Sequence, residues 1–145
     1  MLTIQTRFGE VEYRHERIIQ FSAGLPGFEG SKQYILLDVE GHEPFRYLQS
    51  LDNRELCFVV VSPFDFFQDY VFDLEDSITE ELAMKPDGPV SVYVIVTIRG
   101  SLETATANLI APLVINENER LGKQVILSHP GYTTKHPLFE SEERG

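Results

Sequence analysis

The chain has 145 residues, of which 42% are hydrophobic and 24% are charged. This length and composition are typical of one folded soluble domain and exclude a chain that is disordered throughout. A membrane-spanning helix is also excluded, because it needs about 20 apolar residues and the longest apolar run covers only residues 56–61. The single cysteine, Cys57, cannot form an internal disulfide, and the N-terminus lacks the pattern of a signal peptide, so a cytoplasmic location is expected.

The chain is strongly acidic, with 23 aspartates and glutamates against 12 lysines and arginines and a formal net charge of −11. Nucleic-acid phosphates would repel such a protein, so direct binding of RNA or DNA is not expected. Basic proteins are its natural electrostatic partners. The same acidity would also serve solubility alone, and composition does not decide between these two interpretations.

Short β patterns separated by turn residues dominate the sequence. Their close spacing favours an antiparallel sandwich or barrel over alternating strands and helices. The predicted strands cover residues 2–8, 11–13, 18–21, 34–39, 45–48, 56–61, 70–74, 90–98, 102–108, 113–116 and 123–127.

Residues 92–98 are apolar on both faces, which predicts a central strand covered on each side. Residues 99–101 supply a turn, so residues 102–108 are expected to return beside this strand as a hairpin. A second hairpin turn is predicted at residues 116–120, shortly before Gly122.

One short helix is predicted. Ser77 and Glu80 fit a capping box, with Ser77 as the cap. Ile78 and Leu82 lie four residues apart and therefore share one face. The sequence at 86–89, Pro-Asp-Gly-Pro, is expected to end the helix.

Motifs of known chemistry are not found in the sequence. His15, His42, His129 and His136 do not have the spacing of metal ligands, and no nucleophile elbow, P-loop or dinucleotide fingerprint occurs. We therefore expect no metal, no cofactor and no catalytic residues. One alternative stays open, namely a small β-barrel carboxylate-dependent hydrolase whose carboxylates are gathered into one site by folding.

The most distinctive local segment is a glycine- and proline-rich turn. Proline fixes its own φ, and a following glycine permits the positive φ of a type II turn. Both Leu25 and Phe28 are then expected to reach the core. A phosphate-binding loop is the alternative, but no lysine or Ser/Thr follows in the right place. The segment comprises Gly24, Leu25, Pro26, Gly27 and Phe28.

Acidic residues concentrate between positions 65 and 87, where Lys85 is the only base. Strand-like alternation would turn Tyr70, Phe72 and Leu74 inward. The segment is then either a solvated acidic edge or a docking surface, in which acids steer a basic partner and an exposed aromatic anchors it. Its acids are Asp65, Asp69, Asp73, Glu75, Asp76, Glu80, Glu81 and Asp87.

Eight short motifs occur in a characteristic order along the chain. They are 24–29 (GLPGFE), Tyr34, 36–37 (LL), 44–45 (PF), 48–50 (LQS), 106–109 (TANL), 111–116 (APLVIN) and 122–125 (GKQV). Taken together, they resemble the FliW family of flagellar assembly factors. The resemblance covers residues 1–132 as a single domain and leaves 133–145 as a C-terminal tail that is expected to be partly disordered.

The resemblance implies an all-β fold with minor α content, namely a small antiparallel β-barrel-like domain with one short helix. It also implies a non-enzymatic regulator of flagellar assembly that binds flagellin and, alternatively, the RNA-binding translational repressor CsrA. Binding would antagonise CsrA and relieve its repression of flagellin mRNA. Covering of the RNA site and coupling between separate sites are both conceivable mechanisms, and the resemblance favours the second.

Two groups of residues follow from this interpretation. The family motifs are rich in glycine, proline and apolar residues, so we expect Gly24, Leu25, Pro26, Gly27, Phe28, Asn108 and Pro112 to be structural. Asn108 is expected to hold a turn through its side chain. The predicted partner-binding residues are Asp65, Phe66, Phe67, Asp69, Asp73, Glu75 and Asp76.

Overall fold

The computed structural model describes residues 1–139 and contains eleven strands, one α-helix and two short 3-10 turns within them. The helix α1 covers Asp76–Glu81. The strands are β1 Leu2–Thr6, β2 Gly9–Tyr13, β3 Ile19–Gln20, β4 Gln33–Leu37, β5 Arg46–Ser50, β6 Cys57–Val61, β7 Val90–Arg99, β8 Ser101–Ala107, β9 Leu113–Asn116, β10 Leu121–Gln124 and β11 His136–Pro137.

Seven strands close into a barrel in the order β7-β6-β5-β4-β3-β10-β9, with β9 pairing back onto β7. The expected all-β fold with a minor helix is thus confirmed. Neighbours in the barrel are antiparallel except β3 and β10, which run parallel at Gln20 and Leu121. The strand β7 is central as expected, because it pairs with β6, β8 and β9. The expectation that it is covered on each side was wrong at its end, where Thr97 and Ile98 are exposed because the strand continues into the β7–β8 hairpin.

The barrel interior is filled by alternate residues of its strands, as the period of two requires. Gly122 on β10 belongs there for a steric reason: a Cβ at this position would lie 2.7 Å from Cζ of Phe21. The absent side chain makes room for a buried ring. The interior cluster comprises Ile19, Phe21, Leu25, Tyr34, Leu48, Val60, Leu113 and Ile115.

Three further clusters cover the outer faces of the barrel. The β1–β2 hairpin packs with Ile4 and Val11 against a cluster centred on Ile35. The helix places Leu82 against Val114 and Val125 of the β9–β10 side. A third cluster, which includes Tyr70, Val94, Ala107 and Leu138, joins the connection after β6 to the β7–β8 hairpin.

The predicted strand at 70–74 does not form. Residues 70–75 form neither helix nor strand and pair with no strand of the described chain. The inward turn of alternate side chains is nevertheless present, since Tyr70 is buried, Phe72 and Leu74 are half-buried, and Val71 and Asp73 are exposed. Side-chain contacts therefore hold this segment where a sheet was expected to do so.

The helix was predicted correctly in place and wrongly at both ends. Glu75, not Ser77, is the capping residue, and no side chain donates or accepts a cap hydrogen bond. Ser77 lies inside the first turn because the segment 70–75 runs directly into the helix. The helix ends before residues 86–89, since Ala83 has a positive φ of 53°.

The glycine- and proline-rich turn forms as expected, with a hydrogen bond from the Phe28 N–H to the Leu25 carbonyl and a φ of 87° at Gly27. Only Leu25 reaches the core, at 2% exposure. Phe28 stays 43% exposed and packs its ring against Phe58. The expectation that both residues are buried was therefore wrong, because the tight reversal turns their side chains to different surroundings.

Residues 133–139 pack against the domain, although the sequence placed its end at 132. β11 pairs with β8, and Leu138 is buried among residues of the β7–β8 hairpin. The tail residues 140–145 lie outside the described residues. Within residues 1–139, no helix is long and apolar enough to span a membrane.

Candidate partner-binding surface

Tyr70 is buried and anchors the first part of the acidic segment to the domain. Tyr70 is 4% exposed, and its hydroxyl donates a hydrogen bond of 2.7 Å to the carbonyl of Leu109. Burial raises the pKa of this hydroxyl and keeps it a neutral donor. Because Tyr70 is held in place, the backbone positions of Asp69 and Asp73 on either side of it are also fixed.

The two predicted aromatic anchors are half-buried. Phe66 meets Phe139 edge to face at 5.7 Å between ring centroids, and Phe67 meets His136 in the same way at 5.0 Å. The residue that extends an aromatic ring into solvent is their neighbour Phe64, at 48% exposure. Phe64 was not among the predicted partner-binding residues, because the alternation of inward and outward side chains along a strand gives no information about a turn.

Phe66 and Phe67 contribute with Asp69 to an aromatic pocket of about 410 Å³. Its other walls include Tyr132 and His136. An aromatic wall beside a carboxylate is a suitable environment for a cationic side chain. We refer to this depression, lined by Phe66, Phe67, Gln68, Asp69, Tyr70, Leu109, Gly131, Tyr132 and His136, as the aromatic pocket.

A second, larger depression lies between the segment 70–75 and the end of β10. It has a volume of about 670 Å³. Two of its lining residues are among the most exposed apolar side chains of the described chain, Val71 at 66% and Ile126 at 67%. We call it the acidic groove; it is lined by Val71, Phe72, Asp73, Glu75, Ile78, Lys123, Gln124, Val125, Ile126, Leu127, Ser128, His129 and Pro130.

The predicted partner-binding residues are thus divided between two depressions. Asp69 belongs to the aromatic pocket, whereas Asp73 and Glu75 line the acidic groove. Asp65 and Asp76 are exposed and line neither of them. That these seven residues bind a partner stays a prediction.

Sequence reasoning missed the far wall of the groove. The alternation of buried Val125 and half-buried Leu127 with exposed Ile126 was the available signal, but it was weak because a single exposed apolar residue is normal. Lys123 also lines the groove, and its ammonium lies 2.8 Å from a carboxylate oxygen of Glu81. The only lysine of this wall is therefore already paired with an acid.

The structural role of the family-motif residues stays a prediction; the surroundings of Gly24 and Pro112 fit it, whereas Phe28 is exposed. A Cβ on Gly24 would lie 2.6 Å from the backbone of Glu29, and the Pro112 carbonyl accepts a hydrogen bond from Val125. Asn108, however, holds no turn, because its buried Oδ1 finds no partner among residues 1–139.

Asn116 holds a turn through side-chain hydrogen bonds, which is the role that was predicted for Asn108. Its amide donates to the carbonyls of Leu82 and Ala83 at the end of the helix. Its Oδ1 accepts from the backbone N–H groups of Asn118 and Glu119 in the β9–β10 turn. An asparagine at the start of a turn was the sequence signal for its bonds to Asn118 and Glu119, but not for those to Leu82 and Ala83.

The geometry gives no support to the hydrolase alternative. Among residues 1–139, no three His, Cys, Asp or Glu side chains come together as metal ligands. The pKa of Glu29 is lowered by the backbone N–H of Gly27 in a solvent-exposed turn, which opposes the use of this carboxyl as a general acid. Cys57 is half-buried, and burial raises the pKa of its thiol, which opposes its use as a nucleophile.

Comparison with known proteins decides the family. The sequence model described as FliW protein matches residues 3–138, which is almost the whole chain. The chain belongs to the FliW family. Flagellar assembly factor FliW of Bacillus pumilus (strain SAFR-032) is 46% identical over 138 residues, covering 94% of this chain and 96% of that protein.

Other FliW relatives agree with this assignment. The Bacillus subtilis (strain 168) flagellar assembly factor FliW is 41% identical over 94% of this chain and 96% of its own length. A crystal structure of the flagellar assembly factor FliW superposes with a TM-score of 0.89 at 42% identity, covering 97% of this chain and 99% of that one. The FliW match includes the acidic segment, both depressions and the packed residues after 132.

Proposed function

We propose that this chain is a cytoplasmic regulator that binds flagellin and, alternatively, the translational repressor CsrA. Bound to CsrA, it relieves the repression of flagellin mRNA; bound to flagellin, it leaves CsrA free to silence that message. The observation that carries the proposal is membership of the FliW family of flagellar assembly factors along nearly the full chain.

The electrostatics of the chain support this proposal. An RNA-binding repressor has a basic surface, and a protein of net charge −11 would meet it at a high, salt-sensitive rate. The acidic segment adds two depressions that combine carboxylates with apolar walls. Apolar contact in a depression supplies the affinity that exposed charges alone lack.

The first test is recovery of tagged protein with its partners from a flagellated host lysate at low and moderate salt. We expect flagellin and CsrA to be recovered, with CsrA lost as salt rises. If CsrA is still recovered at moderate salt, the proposed function stands and apolar contacts supply most of the binding energy. Recovery of neither protein, in a host shown to express both, would contradict the proposal.

A second test addresses the antagonism. Purified CsrA is bound to a labelled leader of flagellin mRNA, and the chain is added. We expect release of the RNA, and renewed RNA binding once flagellin is added in excess. If release follows coupling between separate sites, the chain binds RNA-loaded CsrA more weakly than free CsrA without touching the RNA site.

A further inference from the structure

The acidic groove has one wall of backbone that no strand completes. Residues 70–75 belong to no helix or strand, but their burial alternates as in a strand, and Glu75 has an extended backbone with φ −66° and ψ 151°. At one end the hydroxyl of Tyr132 satisfies both backbone groups of Val71. At the other end the Glu75 carbonyl accepts from the first turn of the helix.

Between these ends the backbone is unpaired. Within residues 1–139, the N–H and C=O groups of 72–74 form no hydrogen bond with another part of the chain. Such an edge is a template for the main chain of an incoming strand, which would satisfy these groups. A helix brings no free backbone donors along its length and would leave them unsatisfied.

The side chains along this edge specify the chemistry of the incoming strand. Val71 and Ile126 offer apolar surface, whereas Asp73 and Glu75 bring carboxylates that form no ion pair within the described chain. Lys123 does not neutralise them, because it is held by Glu81. The groove therefore offers negative charge beside apolar contact.

We propose that the acidic groove binds an extended, basic segment of a protein partner, which adds as a strand along residues 72–74. Val71, Asp73 and Glu75 lie on the same exposed face of residues 71–75, so one set of alternate side chains of the incoming strand meets them. That set combines apolar contact near Val71 and Ile126 with basic residues near Asp73 and Glu75. The inference rests on the proposed function, since it names how a partner of that regulator is held.

Charge argues against other occupants of the groove. A second copy of this chain carries the same net charge of −11 and would bring acids to acids. The last residues of this chain, 140–145, read ESEERG and contain three glutamates against one arginine. A basic partner is the occupant that complements the groove.

The test uses two groove variants and two matched controls. Ile126→Asp places a charge on the apolar wall, and Asp73→Lys reverses a rim charge. Leu102→Asp and Glu103→Lys make the same changes on exposed residues of the β7–β8 hairpin, which do not line the groove. Each protein is titrated with purified flagellin and with purified CsrA, and amide hydrogen exchange is recorded with and without each partner.

We expect at least one partner to bind both groove variants about tenfold more weakly, whereas the controls bind like the parent chain. The same partner should slow exchange of the amides at 72–74. If both groove variants bind flagellin and CsrA with affinities within twofold of the parent chain, the inference is overturned and the proposed function is left intact. Weaker binding without protection of these amides would refute the added strand. Failure of the parent chain to bind either partner would overturn the proposed function itself.

Discussion

The hydroxyl of Tyr132 bridges the backbone of Val71, accepting from its N–H at 2.9 Å and donating to its C=O at 3.0 Å. One side chain thereby does for this residue what a neighbouring strand does in a sheet. Because Tyr132→Phe removes both bonds but keeps the ring beside Tyr70, we expect a loss of about 1 kcal/mol in the free energy of unfolding. Urea denaturation measures it.

Tyr132→Phe should destabilise the backbone around Val71 more than it destabilises the whole domain. We expect the Val71 amide to exchange much faster in the variant, while amides of β4 and β5 in the barrel are unchanged. Unaltered exchange at Val71 would show that the packing of Tyr70 alone holds the segment 70–75.

A second prediction concerns the barrel interior. Gly122→Ala would place a methyl group 2.7 Å from Cζ of Phe21, whose ring is fully buried. We expect a destabilisation of about 1 to 3 kcal/mol, because a packed core resists added volume. The matched control is Gly30→Ala, where an added Cβ meets nothing within 4 Å. Equal stability of the two variants would show that the barrel can shift around Phe21.

A third prediction separates two asparagines. Asn116→Ala removes four hydrogen bonds that join the end of the helix to the β9–β10 turn, so we expect a loss of about 2 kcal/mol. Asn108→Ala should cost less than about 1 kcal/mol, because its side-chain oxygen has no partner within residues 1–139. Thermal unfolding of both variants checks the order, and a larger loss at Asn108 would contradict it.

These asparagines illustrate what the sequence could predict. Local patterns placed most strands, both hairpin turns and the helix, because alternation and turn residues act over a few positions. The bonds of Asn116 to Leu82 span 34 positions and leave no local signal. The same holds for the bridge between Tyr132 and Val71, which replaced the expected strand at 70–74.

The candidate site was predictable in part for a similar reason. Charge density marked the acidic segment, and alternation correctly turned Val71 and Asp73 outward. The opposite wall with Ile126 lies more than fifty positions further along the chain. Only the closed barrel brings the end of β10 beside residue 71.

A fourth prediction concerns alkaline pH. Burial, with a smaller effect of Asp52, raises the pKa of Tyr34 to about 12 from an ordinary value of 10.0. Between these values the unfolded chain ionises this tyrosine and the folded chain does not, so unfolding releases a proton. The contribution of Tyr34 to stability is therefore complete below about pH 10 and is lost as the pH rises to about 12.

Tyr34→Phe tests this contribution. The hydroxyl is buried beside the side chain of Ser31 but makes no well-formed hydrogen bond within residues 1–139, so its removal should leave stability unchanged or slightly higher at pH 8. At pH 11 the variant should exceed the parent chain by a clearly larger margin. Urea unfolding at both pH values measures the difference. A margin that does not grow with pH would mean that Tyr34 ionises in the folded chain as readily as in the unfolded one.

The last prediction concerns the rate of encounter with CsrA. Asp69 and Asp73 are exposed and lie on the two depressions, so reversing both to lysine removes negative charge where a basic partner would arrive. We expect association to slow about tenfold at low salt, and the difference to shrink as salt screens both proteins. The free energy of unfolding should change by less than about 0.5 kcal/mol, as for other exposed sites.

Stopped-flow mixing over a salt series measures the rates, and Glu10→Lys with Glu12→Lys on β2 provides a control of equal charge change. Equal association rates of the Asp69/Asp73 variant and the parent chain at low salt would exclude these carboxylates from steering.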